Sequence, residues 1–93
     1  MEVEFEDDSF STLETDPTFS AGLGGNVVRG FRKAMQSIRA AADSRDLYNG
    51  GLRTEKLKGD RKHEHSIRLN DQWRLIVEID GTKIRIKHIE DYH

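Results

Sequence analysis

Tyr92 and His93 close a strand-like segment, Lys83-Ile-Arg-Ile-Lys-His-Ile-Glu-Asp-Tyr-His93, and set a phenol beside an imidazole at its end. Imidazole is the side chain best suited to proton transfer near neutral pH. Upstream, Glu55 supplies a carboxylate, and Arg68 and Arg74 supply cations. Ribose-directed RNA cleavage needs such a set. A base takes the 2′-hydroxyl proton, cations stabilise charge on the phosphorane-like oxygens, and an acid protonates the leaving 5′-oxygen. In that chemistry Glu55 is the candidate base, Arg74 and Arg68 the charge stabilisers and His93 the acid, with no metal or other cofactor required. A charged, solvated sheet face ending in an exposed histidine is the plainer reading of the same pattern, and spacing alone leaves both open.

The elements that would position these groups can be read from periodicity. Met1–Phe5 alternates, with Val3 and Phe5 on one side, as a strand does. In the segment from Asp7 to Gly25, Phe10 and Leu13 are spaced for one helical turn before Gly22, Gly24 and Gly25 break the pattern. Asn26 then reads as the N-cap of a helix over Val27–Ala42. Val27, Val28, Phe31, Met35, Ile38 and Ala42 form its apolar stripe, and Arg29, Arg32, Lys33, Gln36 and Arg39 the opposite face. Asp43 or Ser44 starts a short helical turn through Leu47.

From Leu52 onward the period is two. Leu52–Leu57, His65–Leu69, Trp73–Ile79 and the terminal segment read as strands, with turns at Gly59-Asp60, Asn70-Asp71 and the two-residue signal Asp80-Gly81. Trp73, Leu75, Val77 and Ile79 face one way, Arg74 and Glu78 the other. Lys56 and Lys58 flank Leu57 and share a direction, so they join Arg68 and Arg74 as cations on one sheet surface, with Glu55 at its edge. The expected fold is α+β: two or three helices on one face of a mostly antiparallel sheet of four to five strands, with charge on the other face.

Ninety-three residues make one domain, 1–93, with one modest core. Apolar and charged residues each make up 34% of the chain, so that core must be concentrated in few segments. The absence of cysteine excludes disulfides and thiolate metal sites and fits a reducing cytoplasm. No apolar run approaches the roughly 20 residues of a membrane span, and the acidic N-terminus is no signal peptide. The net charge of −2 hides an asymmetry. Residues 1–20 hold seven acids and no Lys or Arg, while residues 21–93 hold all fifteen cations against ten acids, leaving that part at +5. An anionic partner can therefore meet a basic face despite the overall sign.

Other motifs are weaker. His63 and His65 alternate on one strand face, with Glu64 pointing away, and His88 is the nearest further zinc ligand, but no dense ligand cluster supports a metal site. Gly22, Gly24 and Gly25 precede a helix without the Lys-Ser/Thr of a P-loop. Tyr92 is suited to stack on a base or bond a phosphate.

Leu57-Lys-Gly-Asp-Arg61, Ser66-Ile-Arg-Leu-Asn-Asp-Gln-Trp-Arg74 and Glu90-Asp-Tyr-His93 together resemble the HigB-type toxins of the RelE/ParE superfamily. The resemblance covers residues 52–93 closely, and the single long helix fits the family's layout. It implies a RelE-like fold and a ribosome-dependent mRNA endoribonuclease that cuts in the ribosomal A site. It also implies a HigA-like helix-turn-helix antitoxin as partner, through which operator DNA is reached only indirectly. Carried over by position, Tyr92 and His93 match the family's terminal Tyr-His, and Asp91 a neighbouring acidic position. Arg74 matches the arginine that stabilises the transition state, and Lys58 a lysine at the RNA backbone. Glu55 falls where some HigB toxins have histidine and YoeB-like toxins have a catalytic glutamate. Arg29, Arg32, Lys33, Lys56, Arg61, Lys62 and Arg68 are the expected RNA contacts. The same superfamily holds ParE-like gyrase inhibitors, and a non-catalytic autoregulator that only binds antitoxin is a further alternative. Retention of Glu55, Arg74 and the terminal Tyr-His favours the nuclease.

Overall fold

The computed structural model describes residues 1–91. Its longest helix, Gly25–Ala40, buries Val27, Val28, Phe31, Ala34, Met35 and Ile38 along one stripe, and it follows a shorter helix, Asp8–Thr15. We label these α2 and α1, with α3 at Ser44–Asn49. The N-cap of α2 is Gly24, not the expected Asn26. The Val27 and Val28 N–H groups both reach the Gly24 carbonyl, at 3.0 and 3.1 Å, so the helix has begun before Asn26. Asn26 instead accepts a side-chain hydrogen bond from Arg29 one turn on.

The segment that periodicity read only in part is organised by two devices. Asp7 caps α1, its side chain accepting the Ser9 N–H at 2.8 Å. Arg32 of α2 then donates to the carbonyls of Leu13, Asp16 and Phe19 at 3.0, 2.9 and 3.3 Å. One guanidinium thereby anchors the C-terminal end of α1 and the chain beyond it. Asp43 caps α3 through the Arg45 N–H, and α3 buries Leu47.

Five strands form one sheet: β1 Glu2–Phe5, β2 Thr54–Lys56, β3 Glu64–Arg68, β4 Trp73–Asp80 and β5 Lys83–Asp91, in the order β1-β5-β4-β3-β2. β1 runs parallel to β5 and every other pair is antiparallel, so the fold is α+β with a mixed sheet. Ile67, Leu75, Val77, Ile84 and Ile86 point to one side and join Leu13, Phe31, Met35, Ile38 and Leu47 in a single core. That places the helices on one face. The β4–β5 hairpin pairs Asp80 with Lys83, which makes Gly81-Thr82 the two turn residues rather than Asp80-Gly81. Gly81 takes φ 62°, as the first turn position of a two-residue hairpin can require. Between β3 and β4 the Asn70 side chain accepts the N–H groups of Gln72 and Trp73, both at 2.8 Å.

β5 carries a bulge. Val77 pairs with Ile86 but Ile76 pairs with His88, so Lys87 is one residue extra. Among the described residues no helix is long and apolar enough to cross a membrane.

At Gly30, α2 passes so close to the β3–β4 turn that an added Cβ would overlap the Leu69 carbonyl oxygen. Gly30→Ala must displace backbone, and overpacking of this kind costs about 1–3 kcal/mol. We expect a melting temperature lower by about 4–8 °C for each kcal/mol lost in a domain of this size. Thermal unfolding checks it, and an unchanged midpoint would show that the turn yields freely.

Candidate active site on the open sheet face

Cross-strand pairing arranges the face away from the helices in three rows. The first runs Glu64, Glu78, Arg85 and Glu4; the second Glu55, Ser66, Ile76 and His88; the third Arg68, Arg74 and Glu90. Glu55 is exposed on edge strand β2, one row from Arg68 and Arg74. With strands about 4.8 Å apart, Arg74 sits two strands across from Glu55 and one side-chain step along. A phosphodiester lying along that diagonal could meet the carboxylate at one end and the guanidinium at the other.

A charged network lies across the rows. Arg61 Nε meets Glu64 Oε1 at 2.7 Å, and its Nη1 meets Glu90 Oε2 at 2.9 Å. Lys87, the bulge residue, reaches Glu64 at 3.1 Å and Glu78 at 3.0 Å. His88 Nε2 lies 3.2 Å from Glu90 Oε1. Glu64 and Glu90 belong to the first and third rows, so the guanidinium that joins them crosses the second. That accounts for Ser66 and Ile76, each only 1% exposed although no helix covers their face. The Ser66 hydroxyl has no hydrogen-bond partner among the described residues.

The protonation equilibria follow this geometry. The bond from Arg61 holds the Glu64 carboxyl below its ordinary value, against the opposing effect of burial, and Lys87 adds to the lowering. Arg61 likewise lowers Glu90, with a smaller contribution from His88. Lys87 is raised by its bonds to Glu78 and Glu64, and Arg61 by those to Glu90 and Glu64. All four groups are thus held charged at neutral pH.

The structure brings Glu55, Arg68 and Arg74 to one face, while Lys58 caps the 3-10 turn Gly59–Arg61 beyond the Glu64 end of β3, on the other side of Glu55 from the two arginines. Arg74 donates to the Asn70 carbonyl at 3.1 Å, and Arg68 donates to the same carbonyl at 3.3 Å and pairs with Asp71. Lys56 departs from the expected surface. It pairs in register with His65, one residue out of step with Glu55, and so belongs to the helix side of β2. Asp91 pairs with Trp73 rather than Arg74, and its carboxylate accepts from Gln72 at 2.9 Å. It therefore lies on the face opposite Glu90. Tyr92 and His93 lie outside the described residues.

Of the expected RNA contacts, Lys33 and Lys62 are exposed. Arg29 bonds Asn26, Arg32 is committed to three carbonyls, and Arg61 to two carboxylates. Periodicity missed the partners of Arg61, and it missed Tyr48. The Tyr48 hydroxyl lies 2.7 Å from His65 Nδ1, with the two rings edge to face. Burial, and then Lys56 nearby, lowers the affinity of His65 for a proton. His63, His65 and His88 do not converge: among the described residues no three His, Asp or Glu side chains form a metal-binding group.

A family model for the RelE-like toxin of the type II toxin-antitoxin system HigB matches residues 3–93. No curated protein matches the chain. Among solved structures, the chain is similar to the YoeB/ParE toxin from Agrobacterium tumefaciens, at 16% identity and a TM-score of 0.65, with 100% of both chains covered. It is also similar to a chain of the YoeB-YefM complex from Staphylococcus aureus, at 22% identity and a TM-score of 0.64, covering 100% of this chain and 97% of that one. YafQ from E. coli aligns at 11% identity and a TM-score of 0.58, over 98% of this chain and 92% of its own. Identities this low show a shared fold.

The network makes a pH prediction. Glu64 and Glu90 hold their protons less tightly in the folded chain than the ordinary 4.5. The unfolded chain therefore binds more protons in acid, and stability must fall as pH drops below about 4.5 towards the folded values. Glu64→Gln should be less stable than wild type at pH 7 and should show a flatter acid limb. Urea unfolding midpoints between pH 7 and pH 3 would measure both, and parallel limbs would contradict it.

Proposed function

The chain belongs to the HigB-like family of RelE-like type II toxins, and from that premise we propose that it is a ribosome-dependent mRNA endoribonuclease that blocks translation. Glu55 accepts the ribose 2′-hydroxyl proton as the 2′-oxygen attacks phosphorus. Arg74 and Lys58 hold the non-bridging oxygens as negative charge builds on them. His93 gives its proton to the departing 5′-oxygen, leaving a 2′,3′-cyclic phosphate and a free 5′-hydroxyl. Tyr92 orients His93 or stacks on the base, and Asp91 supports that strand end. The observation that carries this reading is the placement of Glu55, Arg68 and Arg74 in adjacent rows of one helix-free face. No step requires a metal.

The YoeB-YefM toxin-antitoxin complex from Staphylococcus aureus is described as heterotetrameric, and by analogy an antitoxin is the expected partner here. An antitoxin of HigA type with a helix-turn-helix domain is the partner this reading expects. Lys33, Lys62, Lys56 and Arg29 are the side chains proposed to meet ribosomal RNA, and the cytoplasm is the compartment where such a target is found.

Mapping mRNA 5′ ends on purified ribosomes tests the assignment. Wild type should generate new ends, while Glu55→Gln, Arg74→Ala and His93→Ala should each lower the single-turnover rate by about 10²–10⁴-fold. Cleavage that survives removal of Tyr92 and His93 would sink the proposed roles. Intact mRNA together with raised DNA-damage markers would point to gyrase instead.

A further inference from the structure

Arg61 is placed unlike an RNA contact. Its guanidinium is shared between a carboxylate at the start of β3 and one near the end of β5, at 2.7 and 2.9 Å. The two strands it joins are separated by β4. Glu64 is 8% exposed at its side chain and Glu90 34%, so the bridge is partly withdrawn from water. Arg61 meets the two carboxylates through separate nitrogens of its planar fork, Nε for Glu64 and Nη1 for Glu90.

The bridge joins two parts of the chain that matter for the reaction. On one side is the loop between β2 and β3, which closes where the Leu57 N–H bonds the Glu64 carbonyl at 3.0 Å and which carries Lys58. On the other is the end of β5. Glu90 precedes Asp91 directly and His93 by three residues. Beyond Ile86 the strand pairing of β5 among the described residues is with β4, because β1 pairs with β5 as far as Ile86.

We propose that Arg61 is a positioning residue that fixes the Lys58 loop against the end of β5, through Glu64 and Glu90, and does not itself grip RNA. His88 and Lys87 reinforce the bridge, His88 through Glu90 and Lys87 through Glu64. The role rests on the RNA-cleavage reading for its consequence, but the mechanical coupling can be measured apart from it.

The test is a double-mutant cycle with Arg61→Ala, Glu90→Gln and the two combined, each assayed for single-turnover cleavage of mRNA on ribosomes across a range of enzyme concentration. A positioning bridge predicts that both single changes lower the maximal rate about tenfold with little effect on half-saturation, and that the double change costs no more than the worse single one. A direct RNA contact predicts opposite signs: Arg61→Ala weakens half-saturation, and Glu90→Gln strengthens it by releasing the guanidinium. That outcome would overturn the proposal. Amide hydrogen exchange supplies the independent arm. Both single variants should exchange faster over residues 88–91 and unchanged over Lys83–Ile86. If wild type cleaves no mRNA, the nuclease reading fails while the exchange data still decide the bridge; unchanged exchange at residues 88–91 refutes it.

Discussion

The open face depends on one extra residue in β5. Side chains on a strand alternate between faces, so Ile84 and Ile86 in the core would send residues 88 and 90 to the core as well. The bulge at Lys87 resets the phase. His88 and Glu90 turn to the open face, and Ile89 moves to the helix side opposite Leu75. Without that shift Glu90 would point into the helix layer, and Arg61 would have no second carboxylate. Lys87 itself becomes the cation between Glu64 and Glu78. Bulges recur beside functional sites because they re-aim side chains in this way, and a one-residue change of register reverses every side chain beyond it.

The same sheet sorts charge from edge to edge. Glu2, Glu4 and Glu6 flank Lys83 and Arg85 at 3.9–4.0 Å, because the parallel pairing of β1 with β5 sets the acidic segment beside the basic one. Exposed pairs at that distance are worth little in stability. Their effect is to cancel charge at the β1 edge. At the other edge, Arg53, Lys56, Lys58 and Lys62 pair with no carboxylate among the described residues. The acidic beginning of the chain and the basic remainder thus make a dipolar sheet, and an anionic partner is drawn to the side where Glu55 stands.

Much of this was legible from periodicity. The stripe of α2 from Val27 to Ile38, the strand faces of Leu75 and Val77, and the opposed direction of Arg68 and Arg74 follow from 3.6 and 2.0 spacing, which is dictated by backbone geometry, whereas Ala42, expected to end the stripe, is exposed beyond the helix. What escaped has a physical reason in each case. The bulge was written only as the three-residue step from Ile86 to Ile89 in an otherwise two-residue rhythm. Lys56 was assigned by its distance from Leu57, but β2 is just three residues long and Leu57 already belongs to the loop. α1 hides because its fixation comes from Arg32, sixteen or more residues away, and no local pattern encodes a contact at that separation. Glu64 read only as a residue pointing away from the histidines on either side. It is buried because Arg61 and Lys87 neutralise it, and only tertiary pairing can make a buried carboxylate tolerable.

The exposure of Glu55 bears on what the proposed reaction would require of a partner. Oriented charges accelerate a reaction most where water is excluded, since bulk solvent screens them and competes for the same oxygens. Glu55 is exposed on an edge strand, and the helices lie on the other side of the sheet. The folded chain therefore supplies oriented groups but not the walls around them. A large, anionic, nucleic-acid-rich partner seated against the basic edge would complete both conditions, expelling water and holding the message along the diagonal from Glu55 to Arg74. If the proposed reaction holds, dependence on the ribosome would follow from a site of which the chain carries one half.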